Sequence, residues 1–441
     1  MTNTRQYNTD FRSNYLQGNR AEKHQGQQSL ALCRDVLRIL FSSYRGPVAL
    51  QLWDGLPVIG SRYASCTLIF KKQYPLRILI LNKDLSRLVV AYLQGDVEVE
   101  GDFEDLFSLV DYLRDCSIPL LDQFRLILAL ARLSGPARIS DANELKSDKR
   151  YNSRETISHH YDVGNDFYRL FLDKQMVYSC AYFRDAKQTL DEAQGDKLEH
   201  ICRKLRLQPG MHVLDIGCGW GGLAIHAAQR YGVSVHGITL SEQQYDLAQQ
   251  RITKLGLQDD IRIELRDYRE LEQTASYDRI VSVGMFEHIG TRNFELYFGL
   301  INRLLKDNGL FLNHGITNDT GWDDSPERRF INEYIFPDGE LARISTVLKA
   351  MENCGFEIAD VESLRPHYVM TLRSWLQALN NNKDQAEHLA GEATYRLWLL
   401  YMSGSAYYFN KGETNIYQVL ACKAKQPWPL PLRRDDLYSN S

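Results

Sequence analysis

The sequence predicts an α/β protein: a doubly wound, mostly parallel sheet of the Rossmann type, with a helical lid and a small amino-terminal α+β domain. Three observations predict this fold. Strand and helix patterns alternate from about residue 195. A short apolar run at 213–216 leads into four glycines and then a helix pattern. The segment after residue 320 is rich in aromatic residues, which suits a lid over an apolar pocket.

The alternation is regular enough to assign elements in order. Strand patterns cover 212–216, 234–238, 261–266, 277–283 and 309–313, and helix patterns cover 193–205, 223–231, 241–255 and 293–305. Residues 321–408 are predicted to be mostly helical. This order places the glycine turn after the first strand of a parallel sheet, at the edge where such sheets bind their ligands.

Changes in pattern divide the chain into five parts. They are a loosely attached tail (1–28), an accessory α+β domain (29–134), a polar linker (135–158), an α/β domain with its lid (159–425) and a tail (426–441). Within the accessory domain, helices are predicted at 29–44, 103–113 and 120–133, and strands at 48–53, 66–71 and 76–81.

Composition excludes several classes of function. Of the 441 residues, 24% are charged and 44% are hydrophobic, which is ordinary for a soluble globular protein. The net charge of −4 argues against nucleic acid as a partner. The eight cysteines form no CxxC pair, so we expect reduced thiols and no metal site. No apolar run is long enough to cross a bilayer, so we expect any membrane contact to be peripheral.

The glycine turn indicates a nucleotide-like cofactor. Gly217, Gly219, Gly221 and Gly222 remove side chains where a backbone must approach a ligand closely. Glycines alone are weak evidence, since many nucleotide folds use them. Asp215 in the strand, together with the Gly-Cys-Gly order that follows, favours S-adenosylmethionine (SAM) over a dinucleotide.

Two later strand ends add candidate cofactor contacts. Dinucleotide folds place an acidic residue after the second strand, and this chain has Thr239 and Gln244 in that region. Ser241 is predicted to be a helix N-cap rather than a ligand contact. Asp267 and Tyr268 close the third strand, where an adenine ring would lie, although an aspartate there is also a common loop residue.

Two further segments make the pattern specific. Residues 159–168 carry a His-His pair followed by Val-Gly-Asn-Asp, and 284–290 read Gly-Met-Phe-Glu-His-Ile-Gly. Each alone is compatible with polar surface or a structural ion pair. Taken together with the glycine turn, and in their order along the chain, these segments resemble those of the cyclopropane fatty acid synthase family. That family includes the mycolic acid cyclopropane synthases. The resemblance runs from His159 to Lys423 and includes 178–183, 313–316, 334–339, 366–368, Thr371, Leu372 and Trp375.

The resemblance implies two groups of binding residues. SAM is expected to contact Tyr178, Ser179, Gly217, Gly219, Thr239, Leu240, Gln244, Asp267, Tyr268 and Val283. A bicarbonate ion beside the transferred methyl group is expected to contact Cys180, Glu287, His314, Ile316 and Tyr368, and the catalytic residues would be Glu287, His314, Tyr368 and Cys180. No metal is expected.

The implied reaction also accounts for the aromatic residues. Attack of a cis double bond on the sulfonium methyl leaves a carbocation, which π-faces stabilise when water is excluded. Candidates for this wall are Phe183, Tyr334, Phe336, Tyr368 and Tyr401, and ordinary core packing is the alternative for each. Ser405 stands where the family often has cysteine, which argues against covalent catalysis by that cysteine.

The expected function is that of a cyclopropane-fatty-acyl-phospholipid synthase acting on unsaturated phospholipid acyl chains at a membrane surface. The alternatives are a fatty acyl C-methyltransferase giving a methyl-branched or methylene product, and a non-catalytic lipid-binding relative. The resemblance further implies a homodimer, a cytoplasmic enzyme at the inner face of the membrane, and a lipid-carrier-like accessory domain. Double-bond position, headgroup and product type stay open.

Overall fold

The computed structural model describes two compact units of the chain. Described are residues 29–128, 163–320 and 340–438, apart from 62, 77–78, 80–84, 117–118, 120–121, 123, 127, 273 and 275. The units are Met1–Ser153 and Arg154–Ser441. The expected linker, the terminal tail 1–28, most of the helix at 120–133 and the His-His pair lie outside the described residues. Within the described parts, no helix is both long and apolar enough to cross a membrane.

The amino-terminal unit contains a four-stranded mixed sheet. Its elements are α1 (29–40), β1 (Val48–Gln51), β2 (Pro57–Ile59), β3 (Cys66–Phe70), α2 (Leu85–Leu93), β4 (Val97–Gly101) and α3 (Phe103–Asp115). The strand order is β2-β1-β3-β4, with β1 and β3 parallel. The strand predicted at 76–81 is wrong, because residues 74–76 and 79 are helical. Five of those six positions are Leu or Ile, and such a short apolar run does not distinguish strand from helix.

The second unit contains a seven-stranded sheet. Its strands are β5 (His212–Ile216), β6 (Ser234–Thr239), β7 (Ile261–Leu265), β8 (Tyr277–Val283), β9 (Leu305–Asn318), β10 (Phe356–Ser363) and β11 (Thr414–Lys423). The order is β10-β11-β9-β8-β5-β6-β7. The strands from β9 to β7 are parallel, whereas β11 runs antiparallel to both β9 and β10. The predicted mostly parallel, doubly wound α/β fold is therefore confirmed.

Helices cover both faces of this sheet. They are α4 (Asn165–Tyr168), α5 (Leu190–Lys204), α6 (Gly222–Tyr231), α7 (Glu242–Leu255), α8 (Phe294–Leu304), α9 (Ile344–Asn353), α10 (Arg365–Asn381), α11 (Lys383–Ala390) and α12 (Glu392–Lys411). Val213 and Leu214 are neighbours in β5 but belong to two different apolar clusters. The alternation of strand side chains therefore supplies a core on each face.

Local signals explain where the helices begin. Thr189 and Glu192 form a capping box at the start of α5, in which each side chain bonds the other's backbone N–H. Ser241 caps α7 by accepting a hydrogen bond from the Gln244 N–H at 3.3 Å. That N-cap was predicted from the sequence.

The region after residue 304 departs most from the sequence-based assignment. β9 runs from Leu305 to Asn318, well beyond the predicted 309–313. The stretch predicted to be mostly helical contains β10, and β11 follows it, so the chain returns to the sheet twice. Both strands carry polar residues at partly exposed positions, and this mixture weakens the hydrophobic periodicity on which strand assignment depends.

Two glycines test how tightly the sheet and its helices are packed. A Cβ on Gly237 in β6 would lie 2.5 Å from Ile263 Cδ1 and 3.0 Å from the Cys218 side chain. We predict that Gly237→Ala destabilises the protein by roughly 1–3 kcal/mol through overpacking. Gly195 in α5 has nothing within 4 Å of its Cβ position. Gly195→Ala should therefore stabilise by about 0.5–1 kcal/mol.

Thermal unfolding of the full-length variants measures both effects. The transition of the unit 154–441 should move down for Gly237→Ala and up for Gly195→Ala. Equal shifts of the same sign in both variants would contradict the packing argument.

Candidate active site

The glycine turn after β5 forms an open cradle. Gly217, Gly219 and Gly221 all have positive φ angles, of 81°, 56° and 76°. Such angles favour glycine because they bring a Cβ too close to the backbone. The Gly217 and Cys218 N–H groups both donate to the Ile238 carbonyl at 3.0 Å, which fixes the turn against β6. A Cβ at Gly219 would meet nothing within 4 Å, so this position borders free space.

Side chains from distant segments brace the turn. The Trp220 Nε1–H donates to Asn165 Oδ1 at 2.7 Å, and Asn165 Nδ2 donates to the Gln243 carbonyl at 3.1 Å. Arg251 donates to the Trp220 carbonyl at 2.6 Å. Asn165 lies in the segment that the sequence analysis singled out, but its bracing role was not anticipated, since it depends on contacts 55 and 78 residues away.

The end of β6 presents the residues expected to contact SAM. Thr239 is buried, and its hydroxyl donates to Gln244 Oε1 at 2.8 Å. Leu240 is 73% exposed, which is unusual for a leucine in a structured turn. The three residues therefore occupy the carboxyl edge of the sheet, next to the glycine turn.

The residues expected near adenine follow β7 and end β8. Tyr268 is buried, with its ring edge-on to Tyr297 at 5.2 Å between centroids. Both oxygens of the Asp267 carboxylate accept hydrogen bonds from Arg269, which lowers the pKa of Asp267. Val283 is the last residue of β8 and is half-buried.

The segment carrying Tyr178, Ser179 and Cys180 rests on a buried polar face of α5. Gln194 donates to the Ser179 carbonyl at 2.8 Å, and the Lys197 ammonium donates to the Ser179 hydroxyl at 3.1 Å. Lys197 is only 2% exposed, and burial lowers its pKa to about 8. Sequence reasoning missed both α5 residues, because a lysine and a glutamine on a helix normally face solvent.

Asp215 belongs to the same buried region. Burial raises its pKa to about 7, while the positive charge of Lys197 opposes that rise. Its Oδ2 has no hydrogen-bond partner among the described residues. Asp215 therefore offers an unused acceptor beneath the glycine turn.

Cys180 is held as a neutral thiol. Its Sγ–H donates to the Ala181 carbonyl at 3.2 Å, and burial raises its pKa well above the ordinary range. The next residue, Ala181, donates its N–H to Thr371 Oγ1 at 3.0 Å. This bond ties the segment to α10.

Glu287 lies in a short 3-10 turn (Phe286–His288) just after β8 and is 5% exposed. Its Oε1 accepts a hydrogen bond from the Ile316 N–H at 3.4 Å, so this N–H already has a partner within the protein. Its Oε2 has no partner among the described residues and lies 2.6 Å from where a Cβ on Gly315 would be. Burial raises the pKa of Glu287 to about 7.

His314 lies in β9 beside the end of β8, where it pairs with Val283. The ring is 1% exposed, and its Nδ1 is 3.2 Å from Gln418 Nε2 on β11. Its Nε2 has no partner among the described residues. Burial first, and then the charges of Lys197 and Lys204, lower the pKa of His314 well below its usual value, so the ring is neutral.

Aromatic side chains form a layer next to these groups. Tyr368, in the first turn of α10, packs edge-on against Phe409 and Trp375, with ring centroids 4.7 and 6.1 Å apart. Tyr178 lies 5.1 Å from Trp375. Burial raises the pKa of Tyr401 to about 12, and the hydrogen bonds of its hydroxyl with Tyr178 and Ser405 oppose that rise.

The expected aromatic wall is only partly assembled. Tyr368 and Tyr401 belong to the aromatic layer, in which Tyr368 packs against Phe409 and Tyr401 lies 6.1 Å from Trp398 between ring centroids. Phe183 does not, since it packs in a separate cluster with Ala181, Ala193 and residues of α5 and α10. Tyr334 and Phe336 lie outside the described residues.

Comparison with known proteins identifies the fold and the family. The family model described as mycolic acid cyclopropane synthetase matches residues 148–419. A "probable fatty acid methyltransferase" of Pseudomonas putida is 40% identical over 89% of this chain and 96% of its own length. The cyclopropane-fatty-acyl-phospholipid synthase of Escherichia coli K12 is 41% identical over 59% of this chain and 66% of its own length.

A solved structure agrees with these matches. The mycolic acid cyclopropane synthase CmaA1, complexed with SAH and CTAB, covers 61% of this chain and 98% of its own, with 37% identity and a TM-score of 0.57. The family match spans more than half of the chain and includes the glycine turn, Glu287, His314 and Tyr368. The chain therefore belongs to the mycolic acid cyclopropane synthetase family and is a SAM-dependent methyltransferase.

Proposed function

We propose that this enzyme converts cis double bonds in phospholipid acyl chains into cyclopropane rings, with the methylene carbon supplied by SAM. One observation carries the proposal. Glu287 Oε2 and His314 Nε2 are fully buried polar atoms that have no partner among the described residues. Glu287 follows the carboxyl end of β8, and His314 in β9 pairs with Val283 at that end. Buried polar groups are normally paired, so two such atoms at a sheet edge support a small polar ligand there.

The described residues fit SAM at the glycine turn. The space beside Gly219, the polar pair Thr239 and Gln244, and the exposed Leu240 lie along one edge of the sheet. Tyr178, Ser179, Gly217, Asp267, Tyr268 and Val283 complete the proposed set. When bound, SAM supplies an electrophilic methyl group on a sulfonium sulfur. The α5 side chains Gln194 and Lys197 would keep Ser179 in place beneath it.

The second group of residues fits bicarbonate. A carboxylate that keeps one free oxygen accepts a hydrogen bond from the ion's hydroxyl, while a neutral imidazole and a tyrosine hydroxyl donate to its other oxygens. Glu287, His314, Tyr368 and the Cys180 backbone would hold it. Ile316 would also contribute, since its N–H donates to Glu287 Oε1 and so orients that carboxylate. When bound, the ion supplies a base close to the new methyl group.

The aromatic layer would protect the cationic intermediate. The π electrons of the double bond attack the methyl carbon, the C–S bond breaks, and a carbocation is left on the acyl chain. Loss of a proton from the new methyl group then provides the electron pair that closes the ring. Burial raises the pKa values of Tyr178, Tyr368 and Tyr401, so all three remain neutral. Their faces stabilise a cation without trapping it as a nucleophilic phenolate would.

The setting of the reaction is also proposed from the family resemblance. We infer that the substrate is an unsaturated phospholipid presented at the inner face of the cytoplasmic membrane, that the enzyme associates with that surface peripherally, and that it forms a homodimer.

A second product type has a specific observation in its favour. The Pseudomonas putida relative, which aligns over 89% of this chain, is named a probable fatty acid methyltransferase. Loss of a proton from a neighbouring chain carbon, rather than from the new methyl group, would give a methyl-branched olefin from the same cation. The site residues would be identical, so only the product distinguishes the two reactions.

The product test uses purified enzyme, SAM and vesicles of monounsaturated phospholipid. We expect acyl chains heavier by one CH₂ that no longer react as olefins, measured by mass spectrometry before and after an alkene-specific derivatisation. Vesicles of saturated phospholipid provide the control and should stay unchanged. A heavier chain that still reacts as an olefin would instead support the methyl-branching reaction.

Glu287 is expected to be essential for turnover but not for cofactor binding. Because general-base assistance contributes about 10²–10⁴-fold, Glu287→Gln should lower kcat by at least about 100-fold. The SAM dissociation constant, measured by calorimetry, should stay within about twofold. Glu295→Gln, the same change at an exposed position of α8, is the matched control. Wild-type turnover in Glu287→Gln would remove this residue from the mechanism.

The buried carboxylate should also make stability depend on pH. The pKa of Glu287 is about 7 in the folded protein, above its ordinary value of 4.5, so the native state loses stability as pH rises between these values. Glu287→Gln should therefore raise the melting temperature at pH 8, by an amount equivalent to roughly 3 kcal/mol at most, and by much less at pH 5.

Calorimetric melting curves of wild type, Glu287→Gln and Glu295→Gln at both pH values make the comparison. Asp215 titrates in the same range but is common to all three proteins, so it cancels from the differences. A gain of equal size at pH 5 and pH 8 would show that the effect does not come from the Glu287 charge.

A further inference from the structure

Gln418 faces His314 across two antiparallel strands. The two residues are directly paired in the β9–β11 register, and both are essentially inaccessible, with exposed fractions of 0% and 1%. Paired residues on adjacent strands project to the same face of a sheet, where their side chains meet. The Gln418 Nε2 to His314 Nδ1 distance of 3.2 Å is a hydrogen bond.

The Gln418 amide turns its nitrogen, and not its oxygen, towards the ring, and this orientation sets the direction of the bond. An amide nitrogen only donates, so His314 Nδ1 must accept. A neutral imidazole carries one proton, and with Nδ1 as the acceptor that proton is on Nε2. Burial and the nearby lysine charges keep the ring neutral, which excludes the doubly protonated form.

We propose that Gln418 is a positioning residue that holds His314 in its Nε2–H tautomer, so that the ring presents a hydrogen-bond donor to the anion. The inference rests on the proposed function for the anion, but the tautomer itself is a property of the protein. The opposite tautomer would turn a lone pair towards a negatively charged ligand and repel it. An unpaired buried N–H is destabilising, and a hydrogen bond to a bound anion removes that penalty.

Nuclear magnetic resonance of protein labelled with ¹⁵N in its histidines reads the tautomer directly. The His314 signals are assigned by their loss in His314→Asn. In the wild type, Nε2 should show the shift of a protonated ring nitrogen, and Nδ1 that of a nitrogen with a free lone pair. The reverse pattern in the wild type would overturn the proposal.

Two variants test the role of Gln418. Gln418→Met removes the donor with little change in volume, so His314 should become a mixture of tautomers and kcat should fall about tenfold, with SAM affinity retained. Gln418→Glu offers only acceptors once its carboxyl group is ionised, so at high pH Nδ1 should acquire a proton. A wild-type His314 spectrum in either folded variant overturns the proposal. Gln250→Met, at an exposed position of α7, is the matched control and should keep wild-type turnover.

Added bicarbonate separates this inference from the proposed function. If the anion site is correct, bicarbonate should shift the Nε2 resonance of the wild type and shift it less in Gln418→Met. If bicarbonate leaves the spectrum unchanged while the Nε2–H tautomer is present, the anion site fails but the assignment of Gln418 to tautomer control stands.

Discussion

The burial of the Glu287 carboxylate is the constraint to which the surrounding structure is adapted. Among the described residues, the Ile316 N–H donates a hydrogen bond to Oε1 of this carboxylate, and Oε2 has no partner. β9 accommodates it only because residue 315 is glycine, since a Cβ there would lie 2.1 Å from the Phe286 ring and 2.6 Å from Glu287 Oε2. A buried charge with so little compensation is costly, which is why the pKa of Glu287 is raised to about 7. Such strain persists in proteins mainly where function requires it.

A polar face of α5 supports the other half of the site. Gln194, Lys197, His200 and Lys204 recur every three or four residues and are all buried. The first two hold Ser179, and the last two bond Glu362 of β10 and keep its pKa at about 2. Tyr182 is stacked between His200 and His367, at centroid distances of 4.4 and 4.7 Å. The segment that carries the proposed cofactor contacts is thus held between α5 and α10, and rigid support of this kind makes catalytic geometry reproducible.

The parts of the fold that the sequence predicts are those with local signals. The strands 212–216 and 277–283 were assigned with their observed limits because short apolar runs in them are bounded by turns. β10 and β11 were missed because they pair with strands that are distant in sequence, and because their polar residues obscure the alternation of hydrophobic and polar residues that is typical of a strand. In the site, the glycine turn has a local signal, and Glu287 and His314 come from family resemblance. Lys197 and Gln418 have neither a local signal nor a place in the resemblance. A lysine on a helix is expected to be exposed, and a cross-strand partner can be identified only when the register of the two strands is known.

One physical cause, exclusion of water, sets the protonation of the whole site. It keeps the tyrosines and His314 neutral, brings Glu287 close to neutrality and lowers the pKa of Lys197 to about 8. Lys197 is therefore still mostly protonated at neutral pH, and its charge is among those that lower the pKa of His314. A positive field that disfavours a second cation on His314 favours an anion at the same place. The buried lysine thus orders the Ser179 segment, and its charge would also favour the proposed anion beside His314.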